Sequence, residues 1–118
     1  MDGKQQLRCL FVRSGGTLGG LQAWFAEHSP KTEFILADPA GSILADQVDT
    51  GRYGETGSWL VEGIGEDFIP PLARLEGVHT AYRVSDREAF HTARQLLQVE
   101  GVLAGSSTGT LLSAALRY

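Results

Sequence analysis

The sequence predicts an α/β fold of three layers, a mostly parallel sheet with flanking helices. Three observations predict it. Apolar strand-like runs alternate with segments whose apolar residues recur at helical spacing. Glycine turns stand between a run and the helix that follows. The first two strands and the helix between them form a strand–helix–strand unit, which joins parallel strands by a right-handed crossover.

The elements follow in order. Residues 7–12, Leu-Arg-Cys-Leu-Phe-Val, read as a strand of bulky apolar residues. The turn Ser14-Gly15-Gly16-Thr17-Leu18-Gly19-Gly20 leads into a helix from about Leu18 to His28, with Trp24 and Phe25 on the face of Leu21. Ser29-Pro30 stops it, because the residue before proline resists the α region. Glu33–Ala37 is the second strand, ended by Asp38-Pro39. Residues 40–62 are expected to hold a mobile loop that opens with a short helix near Ser42–Ala45. Val78–Val84 is the third strand. Ser85-Asp86-Arg87-Glu88 fits a capping box for a helix that runs to Glu100, with Ala89, Phe90, Ala93, Leu96 and Leu97 as its apolar stripe. Gly101 terminates that helix. A short strand-like piece, Val102-Leu103-Ala104, leads into Gly105–Gly109, and a last helix spans Leu111–Leu116.

The composition narrows the function. With 118 residues the chain is one small domain. A net charge of -4 and ten scattered basic residues argue against a nucleic-acid partner. No apolar run approaches the roughly 20 residues that cross a bilayer, and the polar start lacks a signal-peptide core, so a cytoplasmic protein with no membrane partner is expected. The single cysteine, Cys9, excludes an internal disulfide and reads as a buried thiol in an apolar run. His28, His79 and His91 fit no ligand spacing, and no metal is expected.

Two turns carry candidate chemistry. Gly15-Gly16-Thr17, between a strand and a helix N-terminus, suits an anion: glycine lets the backbone come close, and the first helical N–H groups face it. It is no Walker loop, since no Lys-Ser/Thr pair follows. It also misses the G-x-G-x-x-G spacing, although Asp38 ends the next strand where a ribose-binding acid could sit. Ser106, Ser107 and Thr108 offer hydroxyls at a helix start, for capping or for a ligand. At the carboxyl ends of parallel strands both turns, with the Gly63–Gly65 turn, would face one crevice.

Together these segments resemble the pyridoxal-phosphate enzymes of the cysteine synthase and cystathionine β-synthase family. The resemblance rests on Ser14–Leu18, Asp38-Pro39-Ala40-Gly41-Ser42-Ile43-Leu44-Ala45, Glu62-Gly63-Ile64-Gly65-Glu66-Asp67-Phe68-Ile69-Pro70, Val84-Ser85-Asp86 and Glu100–Ser107, in register. The Asp-Pro-x-Gly-Ser run favours the cystathionine synthase branch. The resemblance implies part of a fold-type II pyridoxal-phosphate core. It also implies a β-replacement lyase of sulfur amino-acid metabolism: serine or an activated serine loses its β-substituent, and homocysteine or sulfide adds. A homodimer is implied for the intact enzyme.

By position, Ser14, Gly15, Gly16 and Thr17 match the family's phosphate-binding loop. Ser107 matches the serine that hydrogen-bonds the pyridine nitrogen. Gly63, Ile64 and Gly65 match the lining of the pocket beside the cofactor. Arg13 stands where the family's loop begins with glycine. The likeness covers residues 14–118, and residues 1–13 read as an unrelated leader with the first strand. The family's Schiff-base lysine falls in an N-terminal half that these residues do not match. Lys4 and Lys31 are the only lysines, and neither matches it. The chain alone is therefore expected to be inactive and to expose apolar surface that favours association. Two other readings stand beside this one: a nucleotide- or adenosyl-methionine-binding Rossmann-like module, and a non-catalytic truncated fragment.

Overall fold

Three parallel strands, β1 (Arg8–Phe11), β2 (Glu33–Pro39) and β3 (Val78–Val84), lie side by side in that order in the computed structural model, which describes residues 8–11 and 15–118. β2 is central, and every residue from Phe34 to Pro39 is buried. That is why it reads as a continuous apolar run: a middle parallel strand is covered on both faces. Phe34 and Leu36 join Leu18, Phe25, Leu44 and Leu75 in one cluster. Ala37 joins Val61, Ile64, Val84, Ala89 and Ala114 in another. The alternation of side chains along β2 thus divides the core into two layers, and helices cover each.

Helix α1 (Gly16–His28) begins two residues before the expected Leu18. Its buried residues are Leu18 and Phe25. Trp24 does not share that face. It is 50% exposed and stacks on His28, with ring centroids 4.1 Å apart. The inward stripe is set by Leu18, Leu21 and Phe25, and Trp24 lies beyond its edge. Helix α2 (Leu44–Thr50) is longer than the piece expected near Ser42–Ala45, and Gly51 closes it in the left-handed region.

β3 has the predicted bounds, and helix α3 (Asp86–Glu100) follows. The Ser85 hydroxyl accepts from the Glu88 amide at 3.2 Å, as a capping box requires. The Glu88 carboxylate is engaged by Arg117. Gly101 ends α3 with φ 69°. The predicted apolar stripe needs correction: Ala89 and Thr92 are buried, whereas Phe90 and Leu97 are exposed. Close packing on helix α4 (Ser106–Arg117) selects the small residues. A Cβ on Gly109 would strike the Ala89 carbonyl, and the Ser113 hydroxyl donates to Thr92 Oγ1 at 2.8 Å.

Two further expectations fail at the C-terminal end. Val102-Leu103-Ala104 forms no strand, and Leu103 is 83% exposed. An apolar run becomes a strand only where a neighbouring strand takes its backbone hydrogen bonds. Helix α4 starts at Ser106, five residues before Leu111, and absorbs the hydroxyl-rich turn with Gly109 inside it.

Candidate functional site

A parallel sheet puts all its strand exits at one edge, where open α/β folds bind ligands. Here the exits are Gly15 after β1, Asp38–Ser42 at the end of β2, and Ser85-Asp86 after β3. A segment from Gly57 to Glu66 is tied to the last two. The Gly57 amide donates to the Gly41 carbonyl at 2.8 Å. The Leu60 and Val61 amides donate to Asp86 Oδ1 at 2.9 and 3.3 Å. The Glu66 amide donates to Ser42 Oγ at 2.9 Å.

Within that segment Gly63 and Gly65 turn the chain at φ 76° and 78°. Gly65 has no room for a side chain: a Cβ would collide with the Pro39 ring and lie 2.9 Å from Trp59 Cε2. Trp59 Nε1 donates to the Ile64 carbonyl at 2.9 Å. The Ile64 side chain is 6% exposed and packs in the core, so Ile64 can offer only backbone to a ligand.

At the first exit, Gly15 is the N-cap of α1 with φ 87°, and among the described residues no side chain caps the helix. The first turn carries no acidic residue, Gly16 and Thr17 are exposed, and a Cβ on Gly16 would meet open space. The uncapped N–H groups and the positive end of the helix dipole therefore face outward. Gly15 itself backs onto Leu72 and Ala73. A groove of about 220 Å³ beside it is lined by Gly15, Gly16, Gly19, Gly20, Leu72 and Arg74, among others. Arg74 also lines the groove, a cationic residue that no spacing in the sequence linked to the turn. Ser14 and Arg13 lie outside the described residues.

Ser107 sits in the first turn of α4, partly exposed, behind an N-cap that is Gly105 and so has no side chain. It does not line the groove at Gly15. Asp38 does not face a ligand. It is 0% exposed, and its Oδ2 accepts from the Ala45 amide at 2.8 Å. Burial pushes its pKa from 3.8 up to about 6, against the lowering effects of the Ala45 amide, Ser42 and Arg83. The carboxylate on which the alternative nucleotide reading drew is thus structural, because side-chain alternation on β2 turns it under α2. Among the described residues no group of three or more His, Cys, Asp or Glu could hold a metal.

A family model described as "Pyridoxal-phosphate dependent enzyme" matches residues 7–118. The chain belongs to this family. Cystathionine β-synthase of Saccharomyces cerevisiae is 37% identical over 105 residues, covering 89% of this chain and 20% of that protein. Cysteine synthase of Helicobacter pylori (strain J99) is 37% identical over 106 residues, covering 90% of this chain and 32% of that protein. A crystal structure of the O-acetylserine dependent cystathionine β-synthase from Helicobacter pylori superposes with a TM-score of 0.81 at 35% identity. It covers 95% of this chain and 35% of that one. The chain thus spans a fifth to a third of the length of these relatives.

Pyridoxal phosphate is the family's cofactor, and part of this chain fits it. The uncapped, acid-free first turn of α1 suits a phosphate dianion. A neutral Ser107 hydroxyl suits an aromatic nitrogen. The amine that would hold the aldehyde does not fit. Lys31, the lysine among the described residues, is exposed and lies two residues before Glu33 at the start of β2. That is the sheet edge opposite to Gly15. Among the described residues no helix is long and apolar enough to cross a membrane.

Proposed function

We propose that these residues form part of the cofactor and substrate site of a cystathionine β-synthase-like β-replacement lyase. Serine or an activated serine would lose its β-substituent there, and homocysteine or sulfide would add. The observation that carries the reading is the uncapped N-terminus of α1 at Gly15, in a chain matched by the family across residues 7–118. Bound pyridoxal phosphate would supply an electron sink for negative charge at the substrate's α carbon.

The chain's own groups have distinct tasks in this reading. The first-turn amides of Gly16 and Thr17, with Ser14 before them, hold the phosphate. Arg74 adds charge beside them. Ser107 would donate a hydrogen bond to the pyridine nitrogen of bound cofactor while keeping its own proton; a neutral hydroxyl there leaves that nitrogen unprotonated, which favours elimination and replacement. Gly63 and Gly65 keep side chains away from the substrate. The amine that anchors the cofactor comes from a lysine outside these 118 residues, so the chain alone does not turn over. Residues 14–118 act as one part of the catalytic core, and the family match from residue 7 adds β1 as its first strand. The complete enzyme is a cytoplasmic homodimer in this reading.

An absorbance titration with pyridoxal phosphate, then borohydride reduction and intact mass, tests it. Saturable binding without a specific stable adduct is the expected result. A band at about 410–430 nm with one adduct on a single lysine would show that the chain builds its own anchor. No saturable binding would remove the cofactor reading from this chain.

A further inference from the structure

The geometry points to Ser42 as the residue that positions the Gly63–Gly65 turn, a role that rests on the reading of that turn as pocket lining. Ser42 is 5% exposed at the exit of β2. Its Oγ donates to the Glu66 carbonyl at 3.1 Å and accepts from the Glu66 amide at 2.9 Å. The Ile43 amide donates to the same carbonyl at 3.0 Å. One side chain therefore grips both peptide groups that flank the Glu66 Cα, immediately after Gly65.

The turn needs such a grip. Two glycines at positive φ leave it more backbone freedom than any other residue pair would. Its upstream half is held by the buried Ile64 side chain and by Trp59 Nε1 on the Ile64 carbonyl. Its downstream half is held from β2 by Ser42 and Ile43. Ser42 is in turn fixed from behind: its amide donates to the Pro39 carbonyl at 3.0 Å. A serine hydroxyl both donates and accepts, which an alanine at this place cannot do. Ser42 is a positioning residue: it would act on a ligand only through the placement of Gly65 and Gly63.

Amide hydrogen exchange on the full chain tests the grip without any cofactor. In the wild-type chain the Glu66 amide should exchange as slowly as that of Leu36 in β2. Exchange as fast as that of Glu62 would overturn the proposal, and this arm needs no variant. In Ser42→Ala the Glu66 amide should exchange at least about fivefold faster relative to Leu36, the loss of a hydrogen bond to a buried group. Ser42→Thr, which keeps the hydroxyl, should restore slow exchange. Equal acceleration of every amide would mean only general destabilisation and would also overturn the proposal. A pyridoxal-phosphate titration separates the two readings. If the wild type binds, Ser42→Ala should weaken binding at least about threefold and Ser42→Thr should not; equal binding by Ser42→Ala would refute the positioning role. If the wild type does not bind while Glu66 stays protected, the cofactor reading falls and the grip of Ser42 on the turn stands.

Discussion

The Ala45 amide, in the first turn of α2, donates to Asp38 Oδ2 at 2.8 Å, and Asp38 is 0% exposed. A strand end and a helix start are thus joined through one buried carboxylate. Its other oxygen, Oδ1, has no hydrogen-bond partner. The charged groups that face it are Arg83 from β3, which lowers its pKa, and Asp46 from α2, which raises it. Desolvation outweighs the favourable contacts, because a buried carboxylate needs more than one donor to replace water.

Stability should fall as the pH rises from about 4 to about 6. The folded chain holds a proton on Asp38 up to a pKa of about 6, whereas the unfolded chain releases it near 3.8. Between those values the folded state binds more protons, so raising the pH favours unfolding; above them the deficit is constant. The shift corresponds to about 3 kcal/mol. Asp38→Asn keeps an oxygen for the Ala45 amide and removes the charge. Urea unfolding across this pH range should lose the decline in the variant. A decline of equal size in Asp38→Asn would show that another group is responsible.

Gly15→Ala and Gly16→Ala should act in opposite directions. Gly15 has φ 87°, and a Cβ there would crowd the Ala73 backbone, with Ala73 Cα at 2.8 Å. The left-handed region alone costs about 1–2 kcal/mol for alanine. Gly16 lies inside α1 and faces open space. Alanine there should stabilise the helix by up to about 0.5–1 kcal/mol. Thermal midpoints of the two variants settle the matter, and a stable Gly15→Ala would contradict the packing of the turn on Leu72 and Ala73.

The exposed apolar residues at the end of α3 and just after it should make the chain associate. Val99 is 76% exposed and Leu103 83% exposed, with Val102 between them in sequence at 48%. Apolar side chains grouped in this way favour contact between molecules. Sedimentation should show concentration-dependent association that Val99→Lys with Leu103→Lys reduces. The thermal midpoint should change little, because exposed side chains contribute little to stability. A wild-type chain that stays monomeric at high concentration would refute this.

Much of the fold was written in local pattern. The bounds of β3 and α3, the Ser85 cap and the Gly101 stop were all legible, because each rests on residues within one turn of one another. The glycine turn at Gly15 was legible for the same reason, and the family resemblance rested on short runs of this kind. Trp24, Phe90 and Leu97 misled, because helical spacing tells which residues share a face and not which face meets the core. Val102–Ala104 misled because a strand exists only with a neighbour.

By itself, the sequence determined the α/β class, the order of the three strands with the helices α1 and α3 after the first and third, and the family to which the chain belongs. The tertiary structure alone decided which buried carboxylate serves α2 and which hydroxyl bonds the Glu66 peptide groups after the Gly63–Gly65 turn. It also set Lys31 at the edge opposite to Gly15. Asp38 and Ala45 are seven residues apart, Ser42 and Glu66 are 24, and Leu60 and Asp86 are 26. Contacts of that span depend on how strands and helices pack, and no local spacing encodes them.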